Sequence, residues 1–138
     1  HVSLIVENKG GYIKTHFFAE NSNIFGSDLH LTNIIVNIID NGIKYTEGAP
    51  EIDIYTENIN SYVVVKVVDK GIGMSKAVQK KIFEKFYREQ MGNIHNVKGH
   101  GLGLSYVKRI LDDHDAEINV ESEKGNGSTF IIKLELIT

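Results

Sequence analysis

Four short blocks in a fixed order constrain this 138-residue chain more than any other feature. They are Asn37-Ile38-Ile39-Asp40-Asn41-Gly42-Ile43-Lys44, Asp69-Lys70-Gly71-Ile72-Gly73, Phe83-Glu84-Lys85-Phe86-Tyr87-Arg88 and Gly99-His100-Gly101-Leu102-Gly103-Leu104. At about 3.6 residues per helical turn, residues i, i+4 and i+7 share one face, so Asn37, Asn41 and Lys44 project as a single stripe. The stripe borders an isoleucine face, Ile34, Ile35, Ile38 and Ile39, which has the spacing of a helix packed on a core. Gly42 interrupts that helix at a cost of about 1 kcal/mol relative to alanine. Close approach of a neighbouring strand or a ligand would account for it.

The blocks differ in what they could do. Amide oxygens are hard ligands suited to Mg²⁺, and Lys44 is a point charge for a phosphate. Alone, that helix reads equally well as a solvated polar edge. Asp69 follows a strand that contains the β-branched run Val63-Val64-Val65 and precedes a glycine turn. An ionised carboxylate only accepts hydrogen bonds, so it can select an exocyclic amine such as adenine N6. Glycines at 71 and 73 let backbone approach a flat ring. Alone, this block is a common turn. Glycines 99, 101 and 103 open a helix, whose first N–H groups and dipole favour an anion. The pattern is neither a P-loop nor a dinucleotide fingerprint. Phe83 and Phe86 read as packing residues. Arg88 is a permanent cation that could reach a terminal phosphate. Thr129, entering the last strand, is the polar group placed nearest the base. Together the blocks hold what a nucleotide and its metal require.

Composition narrows the class. A chain of this length builds one domain with its own core. Its 41% apolar and 24% charged residues are those of a globular protein. The net charge of −3 argues against a nucleic-acid partner. No apolar run reaches membrane-spanning length, and no membrane contact is expected. The absence of cysteine excludes disulfides and thiolate metal sites. The six histidines lack metal-ligand spacing: His95 and His100 are five residues apart in a polar segment.

Strands are expected at Val2–Glu7 and Tyr12–Phe18 about a Lys9-Gly10-Gly11 turn, then at Ile52–Thr56, Tyr62–Val68, Glu117–Ser122 and Ser128–Leu136. Helices are expected from Asp28 to about Tyr45, over about Lys76–Phe83, and from about Leu102 to His114. The fold class is α/β, an α+β two-layer sandwich. A mixed sheet of five or more strands carries about three helices on one face. Residues 1–138 read as a single domain excised from a longer protein.

In these four blocks, from Asp28 to Leu136, the chain resembles the ATP-binding catalytic domain of sensor histidine kinases, within the superfamily that includes gyrase, the Hsp90 chaperones and the MutL repair proteins. The resemblance implies that family's Bergerat fold. It implies Asn37 and Asn41 holding Mg²⁺, Lys44 on a phosphate, Tyr45 beside the base or ribose, and Asp69 on adenine N6 with Gly71 and Gly73 shaping the pocket. Phe83, Phe86 and Arg88 resemble the F box, and residues 89–100 the ATP lid. Gly99 to Leu104, with Gly101 and Gly103, resemble the second glycine box. Asn37 stands where the hydrolytic branches carry a glutamate base. Phosphoryl transfer to a histidine is therefore implied, with the acceptor on a separate dimerisation domain and a response regulator receiver domain downstream. The implied ligands are ATP or ADP with Mg²⁺, and the implied location is cytoplasmic, on a parent that could itself be membrane-anchored. A non-catalytic nucleotide-sensing module and a serine kinase of the anti-sigma-factor type stay open as alternatives. The chain departs from the family pattern with Gly42 for the commoner Ala, His100 for a small hydroxyl residue, and Asp115-Ala116 for a Gly pair. Asp tolerates a left-handed helix cap better than most residues.

Overall fold

The computed structural model describes residues 6–19, 28–84 and 103–136, without the side chains of residues 28–31 and 103. In chain order the elements are β1 (Tyr12–Phe17), α1 (Asp28–Lys44), β2 (Glu51–Ile59), β3 (Tyr62–Asp69), α2 (Lys76–Gln79), α3 (Gly103–Asp113), β4 (Glu117–Ser122) and β5 (Ser128–Glu135). They form one five-stranded sheet in the order β1-β2-β3-β5-β4. Only β1 and β2 run parallel, and α1 is the crossover between them. The remaining pairs are antiparallel.

Alternation decides which face is buried. Along β5, Ser128, Phe130, Ile132 and Leu134 are buried while the residues between them are partly exposed. In register with these lie Val63, Val65 and Val67 of β3 and Ile118 and Val120 of β4, which share the same core. Onto this face α1 packs Ile34, Ile38 and Ile39, and α3 packs Val107 and Leu111, both of the latter fully inaccessible. The opposite face is polar. Tyr12 Oη donates to Asp53 Oδ2 at 3.2 Å, His16 pairs with Asp53 Oδ1 at 2.9 Å, and Lys133 lies over the Tyr62 ring.

The expected two-layer mixed sandwich is present, and four of its details differ. Residues 6–8 are helical, where a strand over Val2–Glu7 was expected; residues 2–5 lie outside the described set. The glycine pair is a helix stop, not a hairpin turn. Gly11 N–H donates to Val6 O at 2.9 Å and Gly10 N–H to Glu7 O at 2.9 Å, with Gly10 at φ 78°. That bond pattern is a Schellman cap. β2 also extends to Ile59, since Asn60 at φ 55° lets Ile59 pair directly with Tyr62. Glu57 and Asn58, which read as loop, are strand residues at the polar tip of a hairpin. Finally, α2 is only four residues long, and the described residues after it turn rather than continue the helix.

Candidate functional site

One end of the sheet gathers the C-terminus of α1, the end of β3 and the β4–β5 turn. Leu111 of α3 lies with Val63 and Leu134 at the far end of the sheet, so the start of α3, two turns earlier, points back toward the near end. The first and second blocks identified in the sequence thus meet there, and α3, which carries Gly103 and Leu104, starts toward that end.

Asp69 is the last residue of β3 and 8% exposed. Its Oδ1 accepts the Gly71 N–H at 2.9 Å. On its other side lies α1. A Cβ added to Gly42 would stand 3.2 Å from Asp69 Cβ and 3.5 Å from Oδ2. The helical glycine is therefore where the helix meets the carboxylate. Burial pushes the Asp69 carboxyl above its ordinary value, and the backbone hydrogen bonds from Gly71 and Ser128 oppose the rise.

The turn after Asp69 is locked by backbone contacts. Ile72 N–H donates to Tyr45 O at 3.1 Å, capping a carbonyl at the end of α1. Gly125 N–H donates to Ile72 O at 2.6 Å. Gly73 sits at φ 71°, and an added Cβ would fall 2.0 Å from Glu123 O. Gly127, at φ 79°, has the same relation to Asp69 O at 2.1 Å. Side chains are excluded at both positions, because two turns cross backbone to backbone.

The stripe on α1 holds. Asn37 and Asn41 are half-buried on one face. Asn37 Nδ2 donates to Asn33 O at 2.7 Å, which leaves Oδ1 as the end free for a cation. Carboxamide oxygens one turn apart fit a hard divalent ion that keeps most of its waters. No group of three His, Cys, Asp or Glu residues able to hold a metal occurs among the described residues. Lys44 Nζ pairs with Asp40 Oδ2 at 2.9 Å. The lysine is thus already held by an acid one turn upstream, a partner the spacing of block one contained.

Other site residues fall in different places. Tyr45 is half-buried and ties α1 to the Asp69 turn through its main chain. Thr129 pairs with Val68 and so lies on the sheet face opposite Asp69; Ser128, opposite Asp69 in the register, is the hydroxyl on the site's side. Ser128 is 8% exposed. Period-two counting from Asp69 across the hairpin would have found it. Phe83 packs edge-on against Phe130, centroids 6.5 Å apart, as a core residue. Gly103 and Leu104 begin α3. Phe86, Arg88, Gly99, His100, Gly101, Leu102 and the lid segment lie outside the described residues. A separate cavity of about 410 Å³, walled by Phe17, Ile34, Ile35, Val63, Leu111 and Leu134 among others, lies at the far end and is too apolar for phosphates.

A buried carboxylate in a glycine-lined turn thus stands beside a helix carrying two amides and a lysine. Residues 26–138 match the family described as histidine kinase-, DNA gyrase B-, and HSP90-like ATPase, and the chain belongs to that family. Within it, the chain is similar to sensor proteins and sensor kinases. It is 42% identical over 137 residues to the sensor protein RprX of Bacteroides fragilis, covering 98% of this chain and 26% of that protein. It is 31% identical to the autoinducer 2 sensor kinase/phosphatase LuxQ of Vibrio parahaemolyticus, covering 96% of this chain and 15% of that one. The chain thus spans about a quarter or less of these relatives. Among solved structures it resembles full-length ShkA in complex with AMPPNP, with TM-score 0.82, 26% identity, and coverage of 96% of this chain and 27% of that one. The nucleotide-free catalytic domain of the histidine kinase ThkA shares the fold at TM-score 0.80 and 23% identity, covering 97% and 88%.

Proposed function

We propose that this domain seats the adenine of ATP against Asp69 and delivers the γ-phosphate to a histidine on a dimerisation and phosphoacceptor domain of the same parent protein. The observation that carries this is the Asp69 carboxylate, buried between Gly42 and Gly71. Burying a charge is unfavourable unless a partner offsets it. An exocyclic amine of a bound base is such a partner, and an acceptor-only group favours adenine over guanine, which presents a carbonyl there.

Asn37 and Asn41 are the residues that would hold Mg²⁺. The ion would supply neutralisation of the phosphate charge there. Lys44 exchanges Asp40 for a phosphate oxygen, a modest rearrangement because an exposed i,i+4 pair contributes only about 0.3–0.5 kcal/mol. Tyr45 flanks the base or ribose. Arg88 and the Gly99–Leu104 segment complete the phosphate side by resemblance to the family. Asn37 is an amide and cannot take a proton from water near neutral pH, so transfer to a protein nucleophile is favoured over hydrolysis. Catalysis then rests on positioning and charge stabilisation. The phosphohistidine would serve a response regulator receiver domain. A domain that consumes ATP and serves such a regulator works in the cytoplasm. No helix among the described residues is long and apolar enough to cross a membrane.

The test is phosphotransfer in the parent kinase. Labelled ATP should give acid-labile, base-stable phosphohistidine that disappears in Asn37→Ala and Asp69→Asn. Label that survives acid as phosphoserine on a partner would overturn the histidine assignment. No label from a parent that binds ATP would overturn catalysis.

A further inference from the structure

The residue after the Asp69–Gly73 turn is Met74, and both of its main-chain groups are held by side chains from elsewhere. Its N–H donates to Ser122 Oγ, on β4, at 2.8 Å. Its carbonyl accepts from Gln79 Nε2, at the end of α2, at 3.0 Å. Gln79 Nε2 also donates to Ser122 O at 2.9 Å. Ser122 Oγ in turn donates to Gly127 O at 2.8 Å and lies 2.9 Å from Ser128 Oγ. The valences close. The serine has one proton, given to Gly127, and two lone pairs, taken by Met74 N–H and the Ser128 hydroxyl. Both amide protons of Gln79 are used.

We infer that Gln79 and Ser122 are positioning residues for base recognition: through Met74 they fix where the Gly71–Gly73 backbone stands relative to Asp69 and a bound adenine. This rests on the nucleotide reading of the Asp69 site. α2 is only four residues long and has no fully buried residue; Met74 and Val78 pack partly buried against the core, and Ile82 and Phe83 follow. Gln79 adds to this packing the polar tie that joins α2 to both the Met74 and the Ser122 main chain. The same glutamine thus joins the base side of the site to the start of the block that leads toward residues 85–102. Gln79 replaced by an apolar residue leaves two carbonyls without their donor, and the turn relaxes away from the base.

The experiment measures ADP and GDP affinity by calorimetry for wild type, Gln79→Leu, Gln79→Glu and Ser122→Ala, with a thermal melt of each. Gln79→Leu removes two neutral hydrogen bonds and Ser122→Ala three, one of each at Met74, and each should lower the ADP-over-GDP preference about fivefold or more. Gln79→Glu should lower it further, because a carboxylate faces two carbonyls. A purely structural role would lower the melting temperature and leave the preference of the folded fraction unchanged, and that result overturns the inference. Ser122→Ala and Gln79→Leu test the two ends independently, so one poorly folding variant does not decide the matter. A wild type that binds ADP while the variants keep full selectivity sinks only this inference. A folded wild type that binds neither nucleotide sinks the nucleotide reading and this inference together.

Discussion

Burial lifts the Asp69 carboxyl above its ordinary value of 3.8, and that shift has a direction in stability as well as in binding. A carboxyl whose folded pKa is raised stabilises the fold below the unfolded value and loses that contribution as pH rises through the folded value. Near neutral pH the ionised Asp69 therefore weighs against the nucleotide-free fold. Asp69→Asn keeps a hydrogen-bond acceptor for the Gly71 N–H and removes the charge. It should raise the melting temperature of the nucleotide-free domain at about pH 7, with the gain shrinking toward about pH 4, as thermal melts across that window will show. The same substitution should weaken ADP binding by about tenfold or more, the scale of a hydrogen bond to a charged group. A site that stabilises its protein when mutated and loses its ligand is the signature of a functional group. At this scale the sequence was partly legible. The helical stripe and Asp69 followed from periodicity and residue chemistry. Residue type does not separate Ser128 from Thr129; only the pleat and the register against β3 put Ser128 on the Asp69 face.

Among the elements, the turns carry the site. Gly73→Ala places a Cβ on the Glu123 carbonyl at a positive φ, so it should cost at least about 2 kcal/mol in denaturant unfolding. At the end of α3 the opposite change is available. Asp115, at φ 53°, occupies the left-handed cap: its N–H donates to Asp112 O at 3.1 Å, and Ala116 N–H to Leu111 O at 2.8 Å. The cap is the one expected of an Asp standing in for glycine. Asp115→Gly should therefore add roughly 0.5–1 kcal/mol of stability, read as a shift in the denaturation midpoint with unchanged slope. The helical turn at residues 6–8 was the element least readable in advance. Val6 is buried, and an apolar run before a Gly pair satisfies both strand and helix patterns. Only the i+5 bond to Val6 O distinguishes them, and that bond is a matter of backbone geometry.

Over the whole molecule, the fold brings a helix C-terminus, a strand end and two crossing turns to one end of a five-stranded sheet whose helices cover one face. The sequence places the first two blocks at the end of a helix and the end of a strand, which is the local part of this arrangement. The pairing of β5 between β3 and β4 was not visible in local pattern, since strand order depends on long-range contacts. It is this pairing that sets Ser128 against Asp69 and the second turn under the first. The most direct test of the account is calorimetric titration of ADP, with and without Mg²⁺, into the wild-type domain and Asp69→Asn. Binding that strengthens with Mg²⁺ and is lost in the variant, with both proteins folded, is the expected result. Equal binding by the two proteins, or none by a folded wild type, would contradict it.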